Sequence, residues 1–260
     1  MPPRKKQKTD TGPTPAATAS KAFPSPELLT RALAQYGRAI SLRSGEHSKS
    51  PNALIELDTW LTDRDAGLLG KLVSAQPVTK ADMTSLMKWK LSRGKSRPTL
   101  LALVASNTEA LVEKSTSAAL TAVRDAQDDV ARALLALPHA CLLKGVGPAT
   151  ASALLTLQPS HLLPFMSDEA ASFFAPTLGT VKYTEAYYAK FARAMDAEVR
   201  RLNAASEGDV RPWDSMSLER ALFAICILRK HNEDSVLELN AEPKTPPSPP
   251  GSKRRRGAGT

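Results

Sequence analysis

Two glycines followed by a proline, Gly145, Gly147 and Pro148, set the strongest local constraint on how this chain folds. Glycine permits positive backbone φ angles, so the pair predicts a tight hairpin with positive φ at both positions. Proline suits the first turn of a helix, where its missing N–H is no loss, and the residues after it predict a helix over 148–157. Such a hairpin points unpaired N–H groups outward at the positive end of a helix, which is a natural cradle for a phosphate group.

Apolar residues recur at helical spacing along most of the 260 residues, whereas alternating strand patterns are nearly absent. The sequence therefore predicts an all-α domain over residues 26–240, long enough to bury a sizeable core. The segment 217–229 is apolar almost all round, and we expect it to be a central buried helix. The other helices are expected at 26–42, around 54–68, at 79–93 with a capping box of Thr79 and Asp82, from Pro98, from a cap at Asn107, at 128–137 and at 184–203.

The net charge of +9 is concentrated at the two ends of the chain. Residues 1–25 and 241–260 carry +4 each, which leaves the residues between them at +1. Both ends contain few large apolar residues, so we predict disordered basic tails. Their basic runs are typical of nuclear-import signals, which implies an import receptor as partner and a nuclear location; a solvated charge run is the alternative. Because the body is nearly neutral, a nucleic-acid site on it must be a local patch.

Several classes of site are excluded by what the sequence lacks. Cys141 and Cys226 lie far apart, and no Cys or His residues have metal-ligand spacing, so we expect no metal site. No apolar run approaches the roughly 20 residues that span a bilayer, so we expect no membrane partner. Nothing in the sequence specifies an oligomeric state.

One local patch of positive charge stands out. Five cations and no acidic residue fall within eleven positions: Lys88, Lys90, Arg93, Lys95 and Arg97. Lys90 lies inside the apolar arc of its helix, so it must pair with a carboxylate or reach into a cleft, because an unpaired buried ammonium is too costly. The patch predicts contacts with phosphate groups. The alternative is an ordinary helix C-terminus, where cations offset the helix dipole.

Residues 144–155 resemble the helix-hairpin-helix motif of DNA-binding and DNA-repair proteins, with its hydrophobic-x-Gly-Val-Gly-x-x-x-Ala-x-x-hydrophobic pattern. The resemblance places the whole motif at about 128–157 and implies that DNA is a partner. It also implies which residues hold the DNA backbone: Lys144, Gly145, Val146, Gly147 and Thr150. No cofactor is expected, apart from a monovalent cation for which the resemblance leaves room at the hairpin.

Asp168 stands 23 positions after Gly145 and follows a short apolar segment that contains Pro164. In this it resembles the catalytic aspartate of the helix-hairpin-helix–Gly/Pro/Asp (HhH-GPD) DNA glycosylases, which implies a compact helical domain of that type. A carboxylate suits base excision, because it stabilises the positive charge that develops on the sugar of a flipped nucleotide. The alternative is that residues 167–169 merely cap a helix. Ala149 occupies the position of the lysine nucleophile of bifunctional members, so Schiff-base lyase chemistry is not expected there.

Residues 83–169, roughly a third of the chain, also resemble a eukaryotic protein family common in fungi. Its members combine Trp-Lys-Leu-x-Arg-Gly-Lys-x-Arg-Pro, Leu-Lys-Gly-Val-Gly-Pro-Ala-Thr-Ala-Ser and Pro-Phe-x-x-Asp-Glu segments, which implies that the three segments form one site. We therefore expect a nuclear DNA-binding protein related to DNA repair and, if it is an enzyme, a monofunctional DNA N-glycosylase. The alternative is a non-enzymatic chromatin or protein-interaction adaptor that keeps the fold.

Overall fold

The computed structural model describes residues 23–46, 50, 52–127, 129–158, 162–205 and 212–238. These residues form α-helices, one 3₁₀ helix and no strand, which confirms the all-α prediction. The α-helices are α1 (Pro26–Ala34), α2 (Tyr36–Gly45), α3 (Ala53–Thr62), α4 (Leu68–Val73), α5 (Lys80–Arg93), α6 (Pro98–Ala105), α7 (Glu109–Arg124), α8 (Val130–Ala133), α9 (Ala136–Ala140), α10 (Pro148–Leu155), α11 (Asp168–Leu178), α12 (Glu185–Ala205) and α13 (Ser215–Lys230), and the 3₁₀ helix is Asp234–Leu237.

Local sequence signals account for the start of the helices that matter most for the site. Thr79 and Asp82 form the predicted capping box of α5, in which the Thr79 hydroxyl accepts the Asp82 N–H at 3.1 Å. The Asp82 carboxylate accepts the Thr79 N–H at 2.9 Å in return, so two free donors of the first turn are satisfied. Pro98 and Pro148 open α6 and α10 as predicted.

Three predicted elements are broken where the sequence suggested continuity. The 26–42 helix divides at Gln35 into α1 and α2. The 54–68 element divides into α3 and α4, because the Asp63 side chain accepts the N–H groups of Asp65 and Ala66 and turns the chain. The 128–137 helix is replaced by α8 and α9, since Pro138 has no N–H to continue a single helix through this segment.

Helix α13 lies at the centre of the fold, as its all-round apolar composition predicted. It packs against α1, α2, α11 and α12. Its buried side chains include Leu218, Leu222, Phe223 and Ile225. Its one buried acidic residue, Glu219, lies among these apolar neighbours and becomes important for the site below.

The packed part of the chain begins before the predicted boundary at residue 26. The Phe23 ring centroid lies 5.2 Å from that of Phe174, and Ser25 caps α1. Residues 1–22 and 239–260 lie outside the described part of the chain, so the disordered tails and their import signals stay predictions. Among the described helices, none is long and apolar enough to cross a membrane.

Candidate functional site

Three segments that are far apart in the sequence line one cavity of about 200 Å³. They are the end of α5 with the loop after it, the hairpin between α9 and α10, and the residues that lead into α11. Tyr183, in the loop between α11 and α12, completes the lining. The cavity therefore brings together the basic segment, the glycine hairpin and the Pro-Phe-x-x-Asp-Glu segment that the sequence analysis singled out.

The two hairpin glycines play different roles. Gly145 has φ +77°, and a Cβ there would lie 2.8 Å from Leu103 Cβ and 3.0 Å from the Leu100 carbonyl oxygen. Only glycine fits such a position. The prediction of positive φ was wrong for Gly147, whose φ is −105° and where a Cβ would meet nothing within 4 Å. The fold thus requires glycine at 145, whereas at 147 it leaves open space beside the cavity.

Asn107 holds the hairpin against the turn between α6 and α7. Its side-chain oxygen accepts the Lys144 N–H at 2.9 Å, and its amide nitrogen donates to the Lys144 carbonyl at 3.1 Å. Asn107 is 3% exposed and was expected to cap a helix, but Thr108 is the cap of α7. The two bonds fix the backbone on the N-terminal side of Gly145, and sequence reasoning missed them because they join residues 37 positions apart.

The backbone donors of the hairpin are only partly free. The Val146 N–H donates to the Leu143 carbonyl, and the Thr150 N–H donates to the Gly147 carbonyl. The N–H groups of Val146 and Thr150 therefore already have acceptors inside the protein, and Thr150 also lines the cavity. The roles of both residues in DNA binding stay predictions. In the described structure, no acceptor is assigned to the N–H groups of three other residues that line the cavity: Gly145, Gly147 and Ala149.

The predicted cations separate into groups with different surroundings. Lys95 and Arg97 are exposed residues that line the cavity, and Lys90 lines it while half-buried. Lys88 and Lys144 are exposed and lie outside the lining. Only part of the basic segment therefore faces the cavity.

Arg93 differs from the expectation that it contacts phosphate. It is 2% exposed, and its Nη2 donates to both carboxylate oxygens of Glu219, at 3.0 and 2.9 Å. Its guanidinium carbon also lies 4.0 Å from the Phe223 ring centroid and 5.2 Å from the Trp89 ring centroid. Burial opposes the charge, but the Glu219 carboxylate holds the pKa of Arg93 above its ordinary value. Arg93 thus lines the cavity as a structural cation whose charge Glu219 neutralises.

Asp168 is the first residue of α11 and lines the cavity. Ser167 caps the helix by accepting the Ala170 N–H, so the local prediction of a cap is confirmed and leaves the Asp168 carboxylate in the cavity wall. The Tyr183 hydroxyl donates to Asp168 Oδ1 at 2.5 Å, and the Arg97 guanidinium carbon lies 5.4 Å from the Tyr183 ring centroid. Burial and the Asp168 carboxylate raise the pKa of Tyr183 to about 12, so it is a neutral donor at physiological pH.

Buried polar groups fix the segment that carries Asp168. The Ser152 hydroxyl, on α10, accepts the Met166 N–H at 3.1 Å. The Ser167 hydroxyl donates to Glu219 at 2.5 Å, and the Tyr188 hydroxyl donates to the Pro164 carbonyl at 3.0 Å. These bonds tie the segment to α10, α13 and α12, so the position of Asp168 relative to the hairpin is set by the core.

Burial also shifts the pKa values of two ionisable side chains that line the cavity. Burial lowers the pKa of Lys90, and the Arg97 charge lowers it further, while the Asp168 charge acts in the opposite direction. Burial raises the pKa of Glu169, which follows Asp168 in α11. The cavity wall thus contains a carboxyl group and an amine that are both biased toward their neutral forms.

No group of three or more His, Cys, Asp or Glu side chains suited to a metal ion occurs among the described residues. The prediction of a monovalent cation at the hairpin stays a prediction. The chain matches no protein-family model, no curated protein and no solved structure. The helix-hairpin-helix and HhH-GPD resemblances therefore depend on the sequence patterns alone.

Proposed function

We propose that this protein binds the DNA backbone at the glycine hairpin and acts as a monofunctional DNA N-glycosylase of the helix-hairpin-helix type. One observation carries the proposal: the hairpin, the cations Lys95 and Arg97, and Asp168 all line the same cavity. A base-excision site needs these three parts together, because the backbone must be held while one nucleotide is presented to a carboxylate.

Phosphate binding falls to the hairpin and to the two exposed cations. The N–H groups of Gly145, Gly147 and Ala149 supply uncharged donors at the start of α10, where the helix dipole favours an anion. Lys95 and Arg97 add the charge that attracts a polyanion to an otherwise nearly neutral body. The open space beside Gly147 lets a phosphate approach the backbone closely.

Asp168 supplies the chemistry. Cleavage of an N-glycosidic bond builds positive charge on the sugar, and an ionised carboxylate beside it stabilises that charge and orients the attacking water. The hydrogen bond from Tyr183 holds the carboxylate in place. Glu169 lines the same cavity, and its raised pKa suits donation of a proton to the leaving base.

A second function, a non-enzymatic adaptor, is favoured by two apolar side chains near the hairpin. Leu135 and Leu142 are 67% and 66% exposed. Exposing a large apolar side chain to water is unfavourable, and covering both leucines with a partner would remove that cost. They flank α9, which leads into the hairpin. A protein partner that covers them would use the fold without using Asp168.

The test is fluorescence anisotropy of the full chain with intact and abasic duplexes across a salt series. We expect tighter binding to the abasic duplex than to the intact one. Gly147→Ala should weaken that binding by about tenfold or more, because the added methyl group would keep the phosphate away from the backbone N–H. This factor corresponds to the loss of one hydrogen bond to a charged group. Because a Cβ at 147 meets no neighbour, this variant should keep the melting temperature of the wild type. Arg97→Ala should lower the slope of log affinity against log salt by about 1.

The catalytic part is tested by a screen of duplexes that carry single damaged bases. Asp168→Asn should bind the duplex that the wild type cleaves and should not release its base. Unchanged affinity in Gly147→Ala would remove the hairpin from the proposal. Equal base release by wild type and Asp168→Asn would remove the catalytic role.

We also propose a nuclear location, supported by the two basic runs in the terminal segments. Microscopy of a fluorescent fusion tests it. Replacing Lys253, Arg254, Arg255 and Arg256 by alanine, together with the N-terminal basic run, should move the protein to the cytoplasm. Unchanged nuclear accumulation of that variant would contradict the import role.

A further inference from the structure

A second cavity, of about 230 Å³, lies between the turn that joins α4 to α5 and one face of α7. It shares no lining residue with the cavity that contains Asp168, and the proposed function makes no use of it. Its floor consists of lining residues that are at most 7% exposed: Leu72, Val78, Leu120 and Gln158. The floor is therefore apolar except for one carboxamide.

The Gln158 carboxamide has surroundings unlike those of another buried amide, that of Asn107. Both residues are 3% exposed. The Asn107 side chain accepts the Lys144 N–H at 2.9 Å and donates to the Val104 and Lys144 carbonyls at 3.0 and 3.1 Å. Within the described part of the chain, no hydrogen bond is assigned to the Gln158 side chain, and its amide atoms are not closed off from the cavity. A buried polar group without a partner destabilises a fold, so this unsatisfied amide points to a ligand.

Charges of opposite sign lie at the two ends of the α7 side of this cavity. Glu113, Ser117, Leu120 and Arg124 line it from one face of the helix. Glu113 and Arg124 are exposed, and neither has an ion pair among the described residues. Their separation along the helix axis is about 16 Å, at the usual rise of 1.5 Å per residue. An extended chain advances about 3.3 Å per residue, so about five residues span this distance.

We propose that this cavity binds a short extended peptide segment of a partner protein. An apolar side chain of the peptide covers Leu72, Val78 and Leu120, and an adjacent main-chain peptide group pairs with the Gln158 carboxamide. An acidic side chain of the peptide lies toward Arg124, and a basic one lies toward Glu113. This protein-binding activity goes beyond the proposed DNA function and does not depend on it.

The chemistry of the lining favours a peptide over a nucleic acid. A carboxamide has N–H donors and one carbonyl acceptor, which match the carbonyl and N–H of a main-chain peptide group. Main-chain hydrogen bonds combined with a pocket for a side chain are a common mode of peptide recognition. Among the described residues, no aromatic ring lines this cavity, so a base has no ring to stack on. The Glu113 carboxylate also repels a phosphate backbone.

Selection from a random peptide library tests the proposal on the full chain. Phage that display peptides about seven residues long, enough to span the cavity, are selected on the immobilised protein. The best synthetic peptide is then measured by fluorescence anisotropy against the wild type, Gln158→Leu, Arg124→Gln and Arg132→Gln. Arg132→Gln is the control, because Arg132 is an exposed arginine on α8 that lines neither cavity.

We expect the enriched peptides to share an apolar residue that lies between an acidic and a basic one. The affinity of the best peptide should fall at least tenfold in Gln158→Leu and severalfold in Arg124→Gln, and it should stay unchanged in Arg132→Gln. N-methylation of the peptide, one main-chain nitrogen at a time, should weaken binding to the wild type at one position and have no such effect in Gln158→Leu. Failure to enrich any peptide, or equal affinity for the wild type and Gln158→Leu, overturns the inference.

Two further measurements separate this site from a structural role and from the DNA function. Gln158→Leu removes an unsatisfied amide, so it should melt at or above the temperature of the wild type. A lower melting temperature would assign the amide a role in the fold and overturn the inference. Gln158→Leu should also keep the duplex affinity of the wild type, whatever that affinity is. A loss of duplex affinity that matches the loss of peptide affinity would place the cavity in the DNA interface and overturn the inference as well.

Discussion

Replacing Glu219 by Gln should show how much the buried Arg93–Glu219 ion pair contributes to the stability of the fold. The substitution keeps the shape of the side chain but leaves the Arg93 guanidinium, 2% exposed, facing a neutral amide. Arginine cannot escape by losing its proton, so the charge stays buried without compensation. Removing one partner of a buried pair costs about 3–5 kcal/mol, and the Ser167 hydroxyl loses a charged acceptor as well.

That loss is large beside the roughly 5–15 kcal/mol that stabilises a typical domain. For a domain of this size it corresponds to a melting temperature lower by roughly 6–20 °C. The assay is urea unfolding followed by tryptophan fluorescence and far-ultraviolet circular dichroism. Trp89 is a suitable probe because its ring centroid lies 5.2 Å from the Arg93 guanidinium carbon and 5.1 Å from the Phe165 ring centroid.

Two controls separate the ion pair from a general effect of losing a carboxylate. Glu113→Gln changes an exposed residue on α7 and should stay within about 0.5 kcal/mol of the wild type. The double variant Arg93→Met with Glu219→Leu removes both charges and should recover most of the stability, because an apolar pair can replace a buried ion pair. A cost below about 1 kcal/mol for Glu219→Gln, or a double variant less stable than the single one, would refute the reasoning.

Three further predictions concern stability and local order. Partial burial raises the pKa of Glu46, but hydrogen bonds from Lys230 and the neighbouring histidine hold it at about 2, below the ordinary 4.5. The stability that Glu46 contributes is therefore fully present above pH 4.5 and is lost as the pH falls toward 2. Between these two pH values, the free energy of unfolding measured in urea should fall by roughly 1–3 kcal/mol less in Glu46→Gln than in the wild type. An equal fall in both proteins would contradict the lowered pKa of Glu46. Gly145→Ala should lose about 2 kcal/mol or more in urea unfolding, because its φ of +77° and the contact with Leu103 both oppose a side chain, whereas wild-type stability would show that the hairpin adapts. Asn107→Ala should cost about 2 kcal/mol and speed hydrogen exchange in the hairpin, and unchanged exchange there would count against its clasping role.

The parts of the fold that could be predicted depend on short-range signals. The capping box of α5, the prolines that open α6 and α10, and the apolar surface of α13 are all determined within a few positions of the chain. The breaks between α1 and α2 and between α8 and α9 were missed, because the helical spacing of apolar residues continues across each break although the backbone helix ends there. Sequence patterns therefore gave the class of fold and left the path of the chain open.

The site divides in the same way. That the three segments share a cavity was implied by a resemblance, whereas the roles of Arg93 and Glu219 depend on a contact between residues 126 positions apart. One signal was present and unused: Arg93 follows the apolar Leu86 by seven residues, so it lies on the same face of α5. Tyr183, which lies 15 positions from its partner Asp168, had no signal that separated it from the neighbouring buried tyrosines.

The inward face of α5 shows how one helix provides both a structural cation and a cation directed at a ligand. Lys90 and Arg93 lie on the same face of α5 as the buried residues, so helical periodicity alone predicts the same role for both. The difference comes from α13, which places Glu219 against Arg93, whereas Lys90 has no ion pair with any residue in the described part of the chain. A basic segment of this kind therefore has to be interpreted together with the acidic residues of the helices that pack against it. A cation whose carboxylate is supplied by the core is part of the wall, and a cation without one is the candidate for contact with the ligand.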